Sequence, residues 1–132
     1  MSQEDVEIVR RSLDHFNATG EFLWDAIDPE VAWVIDPIGL LAGTYRGHEG
    51  VKMFLARIEE GFDQVRFEID DLIDAGDSVV ALGRTRMHGR GSGVAVEQPI
   101  GWVLRVRESR IVRSQVYFRP SEALQAVGLA DR

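Results

Sequence analysis

The sequence contains no cysteine, only three histidines and no excess of basic residues. Without cysteine, disulfides, thiol nucleophiles and thiolate metal sites are excluded, and the scattered histidines show no metal-ligand spacing. The 15 Lys and Arg against 22 Asp and Glu give a net charge of −7. This charge argues against nucleic acid as a partner, because a polyphosphate binds a basic face. Any chemistry must come from carboxylate, imidazole, phenol, guanidinium or backbone groups.

Long apolar runs are also missing. No run approaches the ~20 residues that a membrane span needs, and the first residues, MSQEDVEIVRR, carry acids where an export signal carries bases. The GRGSG stretch at 89–93 lacks the lysine and the strand–turn–helix context of a phosphate loop, so we interpret it as a hairpin connection. We therefore expect a cytoplasmic protein with no cofactor and no membrane or nucleic-acid partner.

The length of 132 residues and the hydrophobic content of 45% suit one domain over 1–132. Hydrophobic periodicity, β-branched runs and turn residues predict the elements. The predicted helices cover 3–18, 21–27, 48–62 and 121–128, and the predicted strands cover 31–36, 65–74, 78–89, 93–106 and 110–118. Tight turns join the last four strands, which must then be antiparallel. This order predicts an α+β fold in which a curved, mainly antiparallel sheet wraps the N-terminal helices.

This order of elements resembles the nuclear transport factor 2-like superfamily, which includes SnoaL-like polyketide cyclases and ketosteroid isomerases. Two segments carry the local resemblance, VAWVIDPIG at 31–39 and TYRGHEGVKMFL at 44–55, and the tail VYFRPSEALQAVGL is similar to that of many SnoaL-like proteins. The resemblance covers essentially the whole chain and implies a cone-shaped α+β barrel around a pocket. It also implies that Asp36 is the proton-shuttling base of a cofactor-independent isomerase or cyclase.

Two positions depart from the ketosteroid isomerase pattern. Those enzymes hold the substrate enolate with a tyrosine from the first helix and a protonated aspartate from a late strand. The corresponding positions here hold Ser12 or Phe16 and Gly101 or Trp102. A cofactor-free enzyme needs both a base and a group that stabilises the oxyanion. This sequence displays only the base.

Asp36 and His88 are the candidate catalytic residues. Asp36 ends an apolar strand, where a partly buried carboxylate can act as a general base, and the alternative is a turn-forming residue before Pro37. SnoaL-like cyclases pair a histidine with an aspartate, and His88 or His48 could fill that place here. The alternative for His88 is an exposed histidine at a strand end.

An aromatic-rich pocket is predicted to bind a lipophilic, carbonyl-bearing small molecule. Ordinary core packing would explain the same side chains. The candidate lining residues are Phe16, Trp33, Tyr45, Phe54, Ile58, Trp102 and Tyr117. Arg84, Arg86 and Arg90 alternate along one strand and could bind an anionic group or form a solvated face.

Two functions therefore stay open. The chain is either a SnoaL-like small-molecule protein, with Asp36 as the candidate general base of an isomerase or cyclase, or a non-catalytic module for ligand binding or dimerisation. The segments 79–82 and 94–96 place apolar residues on both faces of their strands. Because one layer of helices covers only one face, we expect a homodimer.

Overall fold

The computed structural model describes residues 2–39 and 41–129. Within these ranges the chain forms three α-helices, a short 3-10 turn and six strands. The helices are α1 (Ser2–Thr19), α2 (Gly47–Gly61) and α3 (Pro120–Ala126), and the 3-10 turn is Trp24–Ala26. The strands are β1 (Ile27–Ile35), β2 (Gly43–Arg46), β3 (Phe62–Asp74), β4 (Ser78–Gly89), β5 (Ala95–Arg107) and β6 (Arg110–Tyr117).

The strands form one mixed sheet in the order β2-β1-β6-β5-β4-β3. The pairs from β3 to β6 are antiparallel, as the turns predict, whereas β1 runs parallel to β6. Between the described residues of β2 and β3, the two edge strands, no pairing closes the sheet. The prediction of an α+β fold with a mainly antiparallel sheet is confirmed, and the sheet is open between its two edge strands.

The sequence-based boundaries differ from the structure in two places near the N-terminus. The helix predicted at 21–27 is wrong except for the 3-10 turn, because Ile27 already belongs to β1 and pairs with Ile111 of β6. Strand β2 was not predicted, since a four-residue segment that begins at Gly43 and is followed by Gly47 carries little pattern. It exists because Tyr45 pairs with Trp33 across the β1–β2 ladder. Tertiary pairing outweighs local preference in both places.

The inner face of the sheet is covered by α1 and α2. Glu4 and Asp5 stand in the first turn of α1, where carboxylates favour the helix N-terminus. Further along, Val9, Leu13 and Phe16 recur at intervals of four and three residues and are all buried. The main core therefore lies between these helices and the inner face.

The outer face carries α3 and a second, smaller core. Val79 belongs to the main core and Val80 to the outer one, because alternate strand residues point to opposite faces. The approach of α3 requires Gly101, where a Cβ would meet the Cβ of Ala123 at 2.5 Å.

A second close approach occurs at Gly83 in β4, opposite an irregularity in β3. A Cβ at Gly83 would collide with the backbone carbonyl oxygen of Glu68 and would lie 2.8 Å from the Cα of Ile69. The tight fit of β3 against β4 therefore requires a glycine at this position.

Candidate functional site

A small apolar cavity of about 20 Å³ lies between α1 and the inner face of the sheet. Five aromatic side chains line it and contact one another in a closed cycle. The ring-centroid distances around the cycle are Phe16–Phe22 4.8 Å, Phe22–Trp33 5.1 Å, Trp33–Trp102 5.8 Å, Trp102–Phe67 5.0 Å and Phe67–Phe16 4.9 Å. These tilted and edge-on contacts are the geometries that aromatic pairs favour. We call this set the aromatic ring.

The polar atoms around the cavity are nearly all satisfied. The indole Nε1 of Trp102 donates to Ser114 Oγ at 2.5 Å, and Ser12 Oγ donates to the carbonyl oxygen of Ile8 at 2.9 Å. The indole Nε1 of Trp33 is also buried, yet it has no hydrogen-bond partner among the described residues. The cavity wall, as far as the chain is described, contains no ionisable side chain. Trp33 is therefore a cavity-lining residue that carries a buried donor without a partner in the described chain.

A larger, polar cleft of about 340 Å³ borders the cavity, and Phe16 lines both. The cleft lies where the C-terminal ends of α1 and α2 meet edge strand β3. Its ionisable side chains are Glu59, Asp63, Arg66 and Arg90. Two acids and two bases make the cleft electrically balanced in a chain whose net charge is −7.

The wall of the cleft on β3 is held in an irregular shape. Gln64 has φ of 54° and lies where the register between β3 and β4 shifts, which is the arrangement of a β-bulge. Asn17 in α1 binds the backbone of β3 at Phe67 twice. Its Nδ2 donates to the Phe67 carbonyl oxygen at 2.8 Å, and its Oδ1 accepts from the Phe67 backbone N–H at 2.9 Å. The Asn17 amide thus fastens α1 to the edge of the sheet beside the aromatic ring.

Asp36 is buried, with 5% of its surface exposed, but it does not line the cavity or the cleft. Its Oδ1 accepts a hydrogen bond from the backbone N–H of Ile38 at 3.1 Å, and its Oδ2 accepts one from the backbone N–H of Phe118 at 2.9 Å. The carboxylate therefore closes a turn over Pro37 and also ties the end of β1 to the end of β6. This placement matches the turn-forming alternative, and a role as a general base stays a prediction.

His88 lies near the end of β4, between Asp63 of β3 and Ala95 of β5. Its Nδ1 is buried and has no hydrogen-bond partner in the described part of the chain. His48, the other histidine considered for a pair with Asp36, instead donates from Nε2 to the carbonyl oxygen of Ile27 at 2.7 Å. Neither imidazole forms a hydrogen bond with Asp36 in the structure.

The structure brings together three of the seven residues proposed to line the pocket, namely Phe16, Trp33 and Trp102. The other four, Tyr45, Phe54, Ile58 and Tyr117, are absent from its described lining. Two members of the aromatic ring, Phe22 and Phe67, were not singled out from the sequence. Phe67 alternates with polar neighbours on β3, which is a signal for an inward side chain. Phe22 stands in a short connection where no such pattern exists.

Tyr117 belongs instead to the outer face, where it packs with the small core beneath α3. Burial raises the pKa of its phenol above the ordinary value of 10.0, and the charges of Asp36 and Glu122 act in the same direction. Arg113 partly opposes them.

Two of the three arginines on β4 and its turn are neutralised by a network of ion pairs. Arg84 lies 2.7 Å from Asp70 and 3.3 Å from Glu68, and Arg86 lies 3.2 Å from Glu68 and 3.3 Å from Glu97. Asp70, together with Glu68 and Glu97, raises the pKa of the Arg84 guanidinium. This paired surface matches the solvated-face alternative rather than an anion site.

The third arginine, Arg90, folds back from the β4–β5 turn onto the end of α2. Its Nε donates to the carbonyl oxygen of Glu59, and its Nη1 lies 3.8 Å from Asp63 Oδ2. A cation at this position interacts favourably with the C-terminal end of a helix. Arg90 therefore fixes one side of the cleft.

Over residues 2–39 and 41–129, no three histidine, aspartate or glutamate side chains are grouped closely enough to hold a metal ion. Nor does any helix in the described chain combine the length and the apolar character that crossing a membrane requires.

Residues 9–114 match the family model described as a SnoaL-like domain. The chain belongs to the SnoaL-like domain family. No curated protein matches the sequence. The resemblance inferred from the sequence is thus confirmed at the level of the superfamily.

Solved structures give the same result for the fold of this SnoaL-like protein. A nuclear transport factor 2-like protein of unknown function from Burkholderia pseudomallei is 25% identical over 95% of this chain and 98% of its own, with a TM-score of 0.77. A protein with a ketosteroid isomerase-like fold from Catenulispora acidiphila, solved with trimethylamine, is 25% identical over 96% of both chains, with a TM-score of 0.69. A protein from Jannaschia predicted to be a SnoaL-like polyketide cyclase is 18% identical over 98% of this chain and 94% of its own, with a TM-score of 0.73.

Proposed function

We propose that this SnoaL-like protein binds a small, neutral, lipophilic molecule whose carbonyl or similar acceptor oxygen enters the cavity within the aromatic ring. The observation that carries the proposal is the Trp33 indole N–H, which is buried in a cavity-lining residue and lacks an acceptor in the described chain. A buried donor without a partner costs about 1–3 kcal/mol. A ligand oxygen that accepts from Trp33 would remove this cost.

The character of the wall argues for a neutral ligand. Aromatic and aliphatic side chains dominate the lining, and the hydroxyl of Ser12 already donates to Ile8. A charged group buried in such a site would lack a counter-ion, which is strongly unfavourable. A ligand with an apolar body and one acceptor oxygen would pack against the apolar wall and would also accept a hydrogen bond from the free N–H of Trp33.

The relative solved with trimethylamine suggests a competing ligand, a small ammonium ion held by aromatic faces. Two features of this chain favour the carbonyl compound. The unpaired group at Trp33 is a donor, whose partial positive charge repels a cation, and the described cavity wall holds no carboxylate. Trimethylammonium therefore serves as the competing probe.

The proposed function is binding and does not use Asp36 or His88 as catalytic groups, because neither lines the cavity. A cyclase or isomerase activity with Asp36 as the base stays a prediction from the family resemblance. If that prediction is correct, Asp36→Asn would lower the turnover of a carbonyl substrate by ~10²–10⁴-fold.

The test compares cyclohexanone with its isostere methylenecyclohexane, which replaces the carbonyl oxygen by a methylene group. Both are titrated against the protein, and the indole N–H resonances are followed by NMR. We expect the Trp33 resonance to shift with cyclohexanone only. Trp33→Phe should bind cyclohexanone about tenfold more weakly than the wild type does, which corresponds to one lost hydrogen bond. The affinity for methylenecyclohexane should be the same in the wild type and in the variant.

Trp24→Phe is the matched control, because Trp24 lies outside the described cavity lining. This substitution should leave both affinities unchanged. Tighter binding of trimethylammonium than of cyclohexanone, or a Trp33 resonance that stays in place at saturation, would overturn the proposal.

A further inference from the structure

The cavity alone is too small for a whole organic ligand. Its volume of about 20 Å³ holds roughly one water-sized group, whereas the neighbouring cleft offers about 340 Å³. Phe16 is the one described residue that lines both spaces. A ligand that reaches Trp33 must therefore keep most of its volume in the cleft or move Phe16 aside.

The partition between the two spaces is a single aromatic side chain in contact with two others. Phe16 touches Phe22 and Phe67 within the aromatic ring. Its neighbour Asn17 is held to the backbone of Phe67 by two hydrogen bonds, so the backbone on both sides of the partition is fixed. A change in the Phe16 rotamer can join the spaces without separating α1 from β3.

The cleft also indicates what kind of group it would accept. Asp63 and Arg90 lie 3.8 Å apart, and the Arg90 guanidinium also donates to the Glu59 carbonyl oxygen. With Glu59 and Arg66, the charges of the cleft sum to zero. A carboxylate or an ammonium group would meet a like charge for every opposite one, whereas a hydroxyl or amide can both donate and accept here.

We propose that the cavity and the cleft are two halves of one ligand site joined at Phe16, and that the ligand is a neutral amphipathic molecule. Its carbonyl end lies within the aromatic ring, and its hydroxyl or amide end lies in the cleft. This inference rests on the proposed function for its carbonyl end, and it adds the second half of the site and the class of the ligand.

The experiment uses 4-(4-hydroxyphenyl)butan-2-one, which carries a carbonyl at one end and a hydroxyl at the other, beside the short probe cyclohexanone. Glu59→Phe narrows the cleft from an exposed position at the end of α2. Glu60→Phe adds the same bulk at the next exposed position, which is outside the described lining of the cleft. We expect Glu59→Phe to weaken binding of the long probe by about tenfold or more, a loss of ~1.4 kcal/mol, and to weaken binding of cyclohexanone by less, because the short probe fills less of the cleft. Glu60→Phe should affect neither.

Phe16→Leu supplies a second measurement, with Phe54→Leu as the control at a buried phenylalanine that lines neither space. Removing the partition should raise the association rate of the long probe, and the control should not. Equal affinities of the long probe for Glu59→Phe and Glu60→Phe, or equal rates for the two leucine variants, would overturn the two-part site. If cyclohexanone does not bind the wild type but Glu59→Phe still weakens binding of the long probe, the result contradicts the proposed function of the cavity and leaves the cleft as a binding site.

Discussion

Asp36→Asn tests whether this carboxylate braces the fold. In the structure, its two oxygens accept from the backbone N–H groups of Ile38 and Phe118 at 3.1 and 2.9 Å. Asparagine offers one acceptor oxygen and one amide group, which is a donor. In either orientation of the amide, one backbone N–H faces another donor and loses its partner.

The expected loss of stability follows from this one unpaired backbone N–H. An unsatisfied group at a site where only 5% of the residue is exposed costs about 1–3 kcal/mol of unfolding free energy. For a chain of 132 residues, 1 kcal/mol corresponds to a change in Tm of about 3–5 °C. We therefore expect Asp36→Asn to lower Tm by roughly 5–10 °C, and Asp36→Ala, which removes both bonds, to lower it further.

Urea unfolding and thermal denaturation followed by circular dichroism measure both quantities. Asp74→Asn is the matched control, because Asp74 accepts a single backbone bond, from Gly76 at 2.9 Å, which asparagine can also accept. The control should change the unfolding free energy by less than about 0.5 kcal/mol. An Asp36→Asn protein as stable as the wild type, or more stable, would refute the bracing role and would support a poised, strained carboxylate instead.

Three further predictions concern alkaline stability, packing and assembly. Because burial raises the pKa of Tyr117 above 10.0 in the folded state, the unfolded chain releases that proton first, so stability present below about pH 10 is lost above it. Tyr117→Phe should make the fall in unfolding free energy above about pH 10 shallower, and an unchanged slope would contradict this. Gly83→Ala should cost about 1–3 kcal/mol because β3 must shift, whereas Gly61→Ala, with nothing within 4 Å of the new Cβ, should change stability by less than about 1 kcal/mol. Analytical ultracentrifugation should give about twice 14.8 kDa for the homodimer, and sedimentation as a monomer at micromolar concentration would count against it.

Much of the fold was predictable because it depends on local patterns. The stripe of Val51, Phe54 and Leu55 predicts α2, and the structure places this helix at Gly47–Gly61. The turns at Gly76 and at 89–93 predict antiparallel pairing of their flanking strands, and β3, β4 and β5 pair in that way. In these segments, side-chain periodicity and turn chemistry act over a few residues, so they can be read along the chain.

The candidate site depends on contacts that the sequence does not display. The aromatic ring joins side chains from α1, the 20–23 connection, β1, β3 and β5, and Asn17 binds a backbone 50 residues away. Asp36 shows the same limit, because the Asp-Pro pattern is compatible with both of its predicted roles, the general base and the turn-forming residue. Only the arrival of the Phe118 N–H, 82 residues later in the chain, directs the second carboxylate oxygen to the end of β6. The sequence determined the elements because their patterns are local, whereas tertiary packing decided which side chains share a cavity and which donors each carboxylate meets.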